Sequence, residues 1–162
     1  MIGRDERAVS IAVTHVLAIG ITAVLMSGLL LGAGNMLDTQ HEQSTESSLE
    51  TIGERMASEI AGVDRTVGED QDGVEDVSVE TSHHRFAGES QYTVTLYEDC
   101  EEDHHPLVET ERCIVLASHG EDVDVAIPIV TENELDNRSV TGGPIVIEWD
   151  DEDDVITIEE GS

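Results

Sequence analysis

The sequence predicts an α+β protein, in which a long N-terminal transmembrane and stalk helix precedes a small antiparallel β-rich head of about six strands. Two observations support this fold class. Residues 8–37 contain no Asp, Glu, Lys or Arg, and a helix of that length would span about 45 Å, enough to cross a hydrocarbon core of about 30 Å. After Val74 the spacing of apolar residues changes from the helical period to the alternating period of strands.

The charges on either side of the apolar segment predict its orientation. Arg4 and Arg7 precede it, and Asp38 and Glu42 follow it. The positive-inside rule therefore places the N-terminus in the cytoplasm and the head outside a single-pass cell-membrane protein. Within the segment, Gly28 and Gly32 have a spacing that lets two helix backbones pack closely in lipid. The alternative is the ordinary glycine content of a membrane helix.

The helical pattern continues beyond the apolar segment. Residues 38–48 are polar and fit either a continuous exposed helix or a flexible neck. One helical face then carries apolar residues at spacings of three and four: Leu49, Ile52, Met56, Ile60 and Val63. Gly62, Gly68 and the acidic stretch 69–73 end this pattern. The predicted divisions are a leader of residues 1–8, an anchor of 9–37, a helical stalk or neck of 38–68 and a head of 69–162.

Six segments of the head have the alternating or β-branched pattern of strands. They are Val74–Val79, Tyr92–Tyr97, Cys113–Ala117, Val123–Ile129, Pro144–Trp149 and Val155–Ile158. Pro128 predicts that the fourth strand ends there or lies at a sheet edge. The acidic run from Asp150 to Asp154 is the predicted loop between the last two strands. Six short strands with brief turns indicate an antiparallel sheet or a small sandwich.

The acidic residues are concentrated outside the predicted anchor. The chain has 37 Asp and Glu residues against seven arginines and no lysine, for a formal net charge of −30, and all of that excess lies from Asp38 onward. Such a surface strongly repels itself at ordinary ionic strength, whereas the Debye length of about 3 Å at 1 M salt removes most of the repulsion. The composition therefore predicts an extreme halophile. It also argues against nucleic-acid binding, and the regular apolar alternation argues against disorder.

Two covalent features are predicted for the exterior. Cys100 and Cys113 are the two cysteines of the chain, and an oxidising exterior favours a disulfide between them over two free thiols. Asn137-Arg138-Ser139 is an N-glycosylation sequon in a polar stretch beside two glycines. Asn137 is therefore a candidate for N-glycosylation.

No metal, cofactor or catalytic site is predicted. The pairs His83-His84 and His104-His105 are adjacent residues, which point to opposite faces of a strand and do not form a ready-made clamp. The stretches 70–73 and 150–154 are rich in carboxylates but do not match a calcium-binding loop, so solvated acidic loops are the preferred interpretation. No motif for nucleophilic, metal-assisted or phosphate chemistry is present, and the prediction is that the protein is not an enzyme.

The N-terminal residues resemble the processing site of archaeal type IV prepilins. In that family a charged residue and then a small residue precede the cut, and the hydrophobic segment follows directly. The resemblance is specific over residues 4–37 and loose over the head. It implies that Arg7 and Ala8 end the leader and that Val9 becomes the mature N-terminus. It also implies a prepilin peptidase, the membrane and other pilin-like subunits as partners, the last through the N-terminal helix.

Two departures from the family pattern qualify the role that the resemblance implies. Haloarchaeal pilins often follow a similar Arg-Ala-Val-Ser run with proline, whereas Ile11 stands at that position here. His15 also interrupts the apolar stretch. These departures favour a minor, pilin-like subunit of a surface filament over a major one. The alternative hypothesis is a membrane-anchored extracellular binding module that does not polymerise.

Overall fold

The structure is a computed structural model that describes residues 5–69, 77–100, 112–150 and 153–162. These residues form one helix, α1 (Asp5–Glu69), followed by nine strands: β1 (Val77–Ser82), β2 (Phe86–Ala87), β3 (Ser90–Tyr97), β4 (Cys113–Ser118), β5 (Asp124–Pro128), β6 (Glu134–Leu135), β7 (Ser139–Thr141), β8 (Pro144–Asp150) and β9 (Val155–Glu160). The α+β fold class predicted from the sequence is confirmed. The chain divides into two compact units, residues 1–40 and residues 41–162.

Helix α1 contributes to both units, and its second part belongs to the core of the head. The apolar face predicted from the sequence is buried, with Leu49, Met56 and Ile60 fully inaccessible to solvent. Residues 41–69 therefore share a compact unit with the strands, whereas the sequence assigned residues 38–68 to a separate stalk or neck. The sequence predicted that Gly62, Gly68 and the acidic stretch 69–73 end the helical pattern, and the helix runs through both glycines to Glu69. A glycine inside a helix costs only about 1 kcal/mol relative to alanine, and burial of the neighbouring apolar face outweighs that cost.

The strands form two sheets. The first has the order β1-β8-β9-β6, and the second has the order β2-β3-β4-β5, with β7 also paired to β3. Each of the six predicted strands corresponds to an observed one, although Val74 lies outside the described residues. The three additional strands, β2, β6 and β7, have only two or three residues each, which is too short to produce a readable alternation. All the pairings are antiparallel except that of β6 with β9, which is parallel.

The predictions for the strand ends can be compared directly with the pairing. Strand β5 ends at Pro128 and pairs only with β4 among the described strands, so it lies at a sheet edge, as its proline predicted. The turn between β8 and β9 falls in the predicted acidic run, of which residues 151 and 152 lie outside the described part of the chain. Its last residue, Asp154, has a φ of 58°, a left-handed conformation that Asp tolerates better than most residues.

One hydrophobic core joins α1 to both sheets. It combines residues of the helix with Val94, Leu96 and Leu116 of the second sheet, and with isoleucines of β8 and β9 in the first. A close approach at Gly53 helps to seat the helix, because a Cβ atom placed there would lie 2.7 Å from Cγ1 of Ile127. Tyr92 is fully buried in this core, and its burial raises the pKa of the phenol to about 12.

Candidate membrane anchor and the contacts of the head

The apolar part of α1 is a candidate membrane anchor. Among the described residues, α1 is a helix long and apolar enough to cross a membrane, and no part of its most apolar stretch is buried against other described residues. Leu29, Leu30 and Leu31 are each 73% exposed. The described residues therefore supply no cover for this surface, and an uncovered apolar surface of this size is typical of one that contacts lipid or another protein.

Two hydroxyl groups inside the apolar segment are compatible with a hydrocarbon environment. The hydroxyl of Thr22 donates to the carbonyl of Ala18 at 2.8 Å, and that of Ser27 donates to the carbonyl of Ala23 at 2.9 Å. Both bonds return to the preceding turn of the same helix. Because water is absent from the bilayer core, internal satisfaction of this kind is what a spanning helix requires.

Gly28 and Gly32 lie four residues apart and therefore on the same face of α1. A Cβ atom added to either glycine would meet no atom within 4 Å, so none of the described residues packs against this face. The predicted processing residues Arg7, Ala8 and Val9 also lie within α1. Their side chains lie outside what the structure describes, and the processing site stays a prediction.

The head contains the predicted disulfide between Cys100 and Cys113, whose Cα atoms are 5.7 Å apart. Residues 101–111, which include His104 and His105, lie outside the described part of the chain. The ion pair of Arg112 with Glu98, here called the buttress, lies beside the disulfide. Arg112 donates from Nε and Nη2 to Glu98 Oε1 at 2.9 and 2.7 Å. The same guanidinium donates from Nη1 to the carbonyl of Thr131 at 2.7 Å. The disulfide and the buttress together join Cys100 and Glu98, at the end of β3, to the residues at the start of β4.

A second contact fixes α1 to the loop between β5 and β6. The buried Asp64 accepts hydrogen bonds at its Oδ1 atom from the Thr131 hydroxyl at 2.8 Å, from the Glu132 amide at 3.0 Å, and from the Asn133 amide and Nδ2 at 3.1 and 2.9 Å. A carboxylate that accepts several hydrogen bonds is well compensated for the loss of water. Asp64 therefore anchors the last turns of the helix.

A third contact joins α1 to the connection between β1 and β2. The Nε2 atom of His83 lies 3.1 Å from Glu59 Oε2 and 2.7 Å from the hydroxyl of Thr81. Burial lowers the pKa of His83, the charge of Arg55 acts in the same direction, and the charge and hydrogen bond of Glu59 oppose the shift. His83 thus favours the neutral imidazole, held between helix and strand.

Asn137, the candidate glycosylation residue, lies in the exposed loop between β6 and β7. Its Oδ1 atom accepts a hydrogen bond from the amide of Glu98 at 3.0 Å, which leaves Nδ2, the atom to which a glycan attaches, without a bond to the described residues. His83 is bonded to Glu59, while the neighbouring His84 is exposed. The described residues contain no group of three His, Cys, Asp or Glu side chains with the geometry of a metal site.

The sequence analysis missed the roles of Glu59 and Asp64. A signal for Asp64 was present, because this carboxylate lies four residues after Ile60 and therefore beside the apolar face of the helix. A carboxylate in such a position needs several donors. The donors come from a loop nearly 70 residues later in the chain, so the sequence could not identify them.

The comparison with known families covers the anchor and the head together. The model of one family, described as a family of unknown function (DUF7266), matches residues 4–159. The chain belongs to this family. The match to DUF7266 extends from the residues before the apolar segment to the last strand, so helix and head form one family unit. Neither the curated proteins nor the solved structures give a significant match, and the DUF7266 description assigns no activity.

Proposed function

We propose that the protein is a pilin-like, minor structural subunit of a type IV pilus-like surface filament in an extreme halophile. The observation that carries the proposal is the division of α1 into two parts with different surroundings. The first part of the helix is apolar and not covered by any of the described residues, and the second part is the core helix of a β-rich head. A short leader with Arg7 and Ala8 precedes both parts.

This division suits a subunit that is stored in lipid and later assembled. A cut on the cytoplasmic side would leave the apolar helix attached to the head, so the protein would stay in the membrane until assembly. In a filament the same helix surface would exchange lipid for neighbouring helices. Gly28 and Gly32 would then allow close backbone approach, while the acidic heads would face brine.

Processing is the first test of the proposal. The mature N-terminus should be Val9, as measured by intact-mass spectrometry of the purified protein. Combined substitution of Arg7 and Ala8 by Gln and Leu should leave the full-length precursor in the membrane. Arg4→Gln, which changes a leader arginine away from the proposed cut, is the matched control and should be processed normally. A mature wild-type chain that retains Met1 or Ile2 would contradict the proposal.

Assembly is the second test. Gly28→Leu and Gly32→Leu should reduce the amount of the protein in sheared extracellular material, because the added side chains prevent close helix packing. Gly34→Leu is the matched control, since residue 34 is rotated by about 200° from residue 32 on the helix. Its Cβ position is equally open in the chain. Equal loss from all three variants would refute a specific packing face.

The second candidate function is a membrane-anchored extracellular binding module that does not polymerise. It keeps the anchor and the head without assembly, and the resemblance to pilins is loose over the head. This module would remain with the membrane fraction and be absent from sheared material. Its N-terminal leader would also be retained, so the same two experiments distinguish the candidates.

We also propose that Asn137 carries an N-linked glycan. The supporting observations are the exposed loop, the sequon and the orientation of the side chain by the amide of Glu98. Protein from the native host should be heavier than the mature polypeptide, and Asn137→Gln should remove the excess mass. Asn133→Gln, at an asparagine outside any sequon, should leave the excess unchanged. An unmodified Asn137 in native protein would exclude the glycan.

A further inference from the structure

One end of the head is formed by the start of its helical segment, by four short connections and by residues 161–162. We name it the Gly88 end and define it by residues 83–86, 88–89, 119–123, 142–143 and 161–162 together with His41 and Thr45. Gly88 lies against Thr45, since a Cβ atom built on it would lie 3.8 Å from the Cα atom of that residue. The His41 ring lies 3.9 Å from the Glu89 carboxylate. The start of the helical segment therefore belongs to this end.

The opposite end is named the Glu98 end and includes residues 98–100, 129–133, 136–138 and 153–154. Antiparallel pairing sets these two ends apart, because Tyr97 pairs with Cys113 at one end of β3, while Tyr92 pairs with Ser118 near the other. The Glu98 end holds Arg112 and Arg138, and both are paired with glutamates. It also holds six carboxylates in its connecting residues: Glu98, Asp99, Glu132, Asp136, Asp153 and Asp154.

The Gly88 end carries an arginine of a different kind. Among the described residues, Arg85 and Arg65 have no carboxylate within ion-pair distance, whereas Arg55, Arg112 and Arg138 are each paired with a glutamate. Arg65 instead donates from Nε to the carbonyl of Ala61 at 2.9 Å. The Arg85 side chain lies over Gly143, where an added Cβ atom would be 3.2 Å from the arginine Cγ. Glu160 shares a cleft of about 250 Å³ with Arg85, but the amide of Thr141 donates to that carboxylate at 3.4 Å.

An exposed aromatic residue follows this arginine in the chain. Phe86 is the only phenylalanine of the chain, and it is 53% exposed at the free edge of β2. His84, on the other side of Arg85, is also exposed. An aromatic ring beside a cationic side chain is the combination that settles at a membrane–water interface, where the ring enters the boundary region and the cation meets headgroup phosphates.

The covalent chain limits how far this end can lie from the lipid. Only residues 38–40 separate Leu37, the last residue of the apolar segment, from His41. Four residues of fully extended chain reach at most about 14 Å. The His41 start of the head therefore lies within that distance of the end of the apolar segment, which spans the membrane if the proposed function holds.

We propose that the Gly88 end docks on the anionic headgroups of the membrane that holds the anchor, with Arg85 on a lipid phosphate and the Phe86 ring at the acyl boundary. At 1 M salt the Debye length is about 3 Å, so only charges in direct contact with a headgroup count. This condition favours the unpaired Arg85 and reduces repulsion by Glu89 and other carboxylates of the head. Docking orients the carboxylates of the Glu98 end away from the membrane.

Tryptophan quenching tests the docking in the full chain. Trp149 is the only tryptophan, so Phe86→Trp in a Trp149→Phe background gives a single reporter at the Gly88 end. The protein is reconstituted in anionic phospholipid vesicles with brominated acyl chains, in molar salt. Val130→Trp in the same background is the matched control, since Val130 is 83% exposed at the Glu98 end. Brominated lipid should quench the reporter at residue 86 and leave that at residue 130 unchanged.

Arg85→Gln in the reporter background isolates the headgroup contact. Loss of one arginine at an anionic surface should reduce the docking equilibrium constant about fivefold, and zwitterionic vesicles should produce the same reduction with Arg85 intact. Far-UV circular dichroism checks that each variant keeps the native fold. Equal quenching in both lipids for both variants would overturn the role of Arg85.

The outcomes separate the docking from the anchor on which it rests. Failure of the wild-type chain to float with vesicles would refute the membrane anchor itself. Flotation without quenching at residue 86 would refute the docking alone. A third outcome is that neither brominated lipid nor acrylamide quenches the reporter at residue 86. That result would assign the Gly88 end to a protein partner and overturn the lipid proposal.

Discussion

Replacing Asp64 by Asn tests whether the loop between β5 and β6 is fixed to α1 by a carboxylate. Four donors converge on Oδ1: the hydroxyl of Thr131, the amide of Glu132, and the amide and Nδ2 of Asn133, at distances from 2.8 to 3.1 Å. The substitution keeps one carbonyl oxygen but removes the charge. It also brings an NH₂ group to the position of Oδ2, which accepts from the Glu132 amide at 3.2 Å.

The expected cost follows from these contacts. A hydrogen bond to a charged group contributes about 1.5–3 kcal/mol, and a buried donor left without an acceptor costs about 1–3 kcal/mol. The contributions are not additive, since all the donors share one carboxylate. We therefore expect Asp64→Asn to lower the free energy of unfolding by about 2–3 kcal/mol, and Asp64→Ala, which removes the acceptor altogether, to lower it further.

The assay is urea unfolding of the full chain in detergent, followed by the fluorescence of Trp149, which lies in β8 and reports on the head. Asp122→Asn is the matched control, because Asp122 is exposed and surface substitutions usually change stability by less than about 0.5 kcal/mol. If Asp64→Asn and Asp122→Asn shift the unfolding midpoint equally, the carboxylate does not anchor the loop, and the reasoning from its hydrogen bonds is wrong.

Three further predictions concern contacts of the head. Because burial lowers the pKa of His83, the unfolded chain binds a proton at this residue more readily than the folded chain does. The free energy of unfolding should therefore decrease as the pH falls below about 6.5. Urea titrations should show this decrease in His84→Gln and lose it in His83→Gln. Replacing Cys100 and Cys113 by serine opens a loop of 13 residues and should cost about 3 kcal/mol in the same assay; an unchanged midpoint would contradict the loop-entropy argument. Gly53→Ala should destabilise the head by about 1–3 kcal/mol relative to Gly62→Ala, because its Cβ would meet Ile127 at 2.7 Å while that of Gly62 meets nothing.

The long elements could be predicted from the sequence because each has enough residues to show its period. The buried face of α1 includes Leu49, Met56 and Ile60 at helical spacing, and β3 alternates through Tyr92, Val94 and Leu96. These patterns arise from burial on one side, which is a local property of the chain. The fold class followed from them, although the helical segment 41–69 proved to be part of the head.

The remaining features depend on partners that are distant in the sequence. Strand β6 has two residues and pairs in parallel with β9, about 20 residues later. Glu59 pairs with His83, which lies 24 residues away. Composition and periodicity contain no record of such pairs, since the same side chains would be suitable on a solvated surface. The disulfide was accessible from the sequence because the chain has only two cysteines.

The contacts of the head indicate which interactions survive in concentrated salt. Arg55–Glu59 and Arg138–Glu159 are exposed pairs, which contribute between about 0 and 1 kcal/mol and are weakened by screening. The bonds to Asp64 and the buttress of Glu98 with Arg112 are partly buried, where solvent ions screen them less. The apolar core is strengthened by excluded salts rather than weakened. A head that places Arg112, Glu98 and the well-bonded Asp64 at loop anchors is therefore stabilised by the interactions that brine affects least.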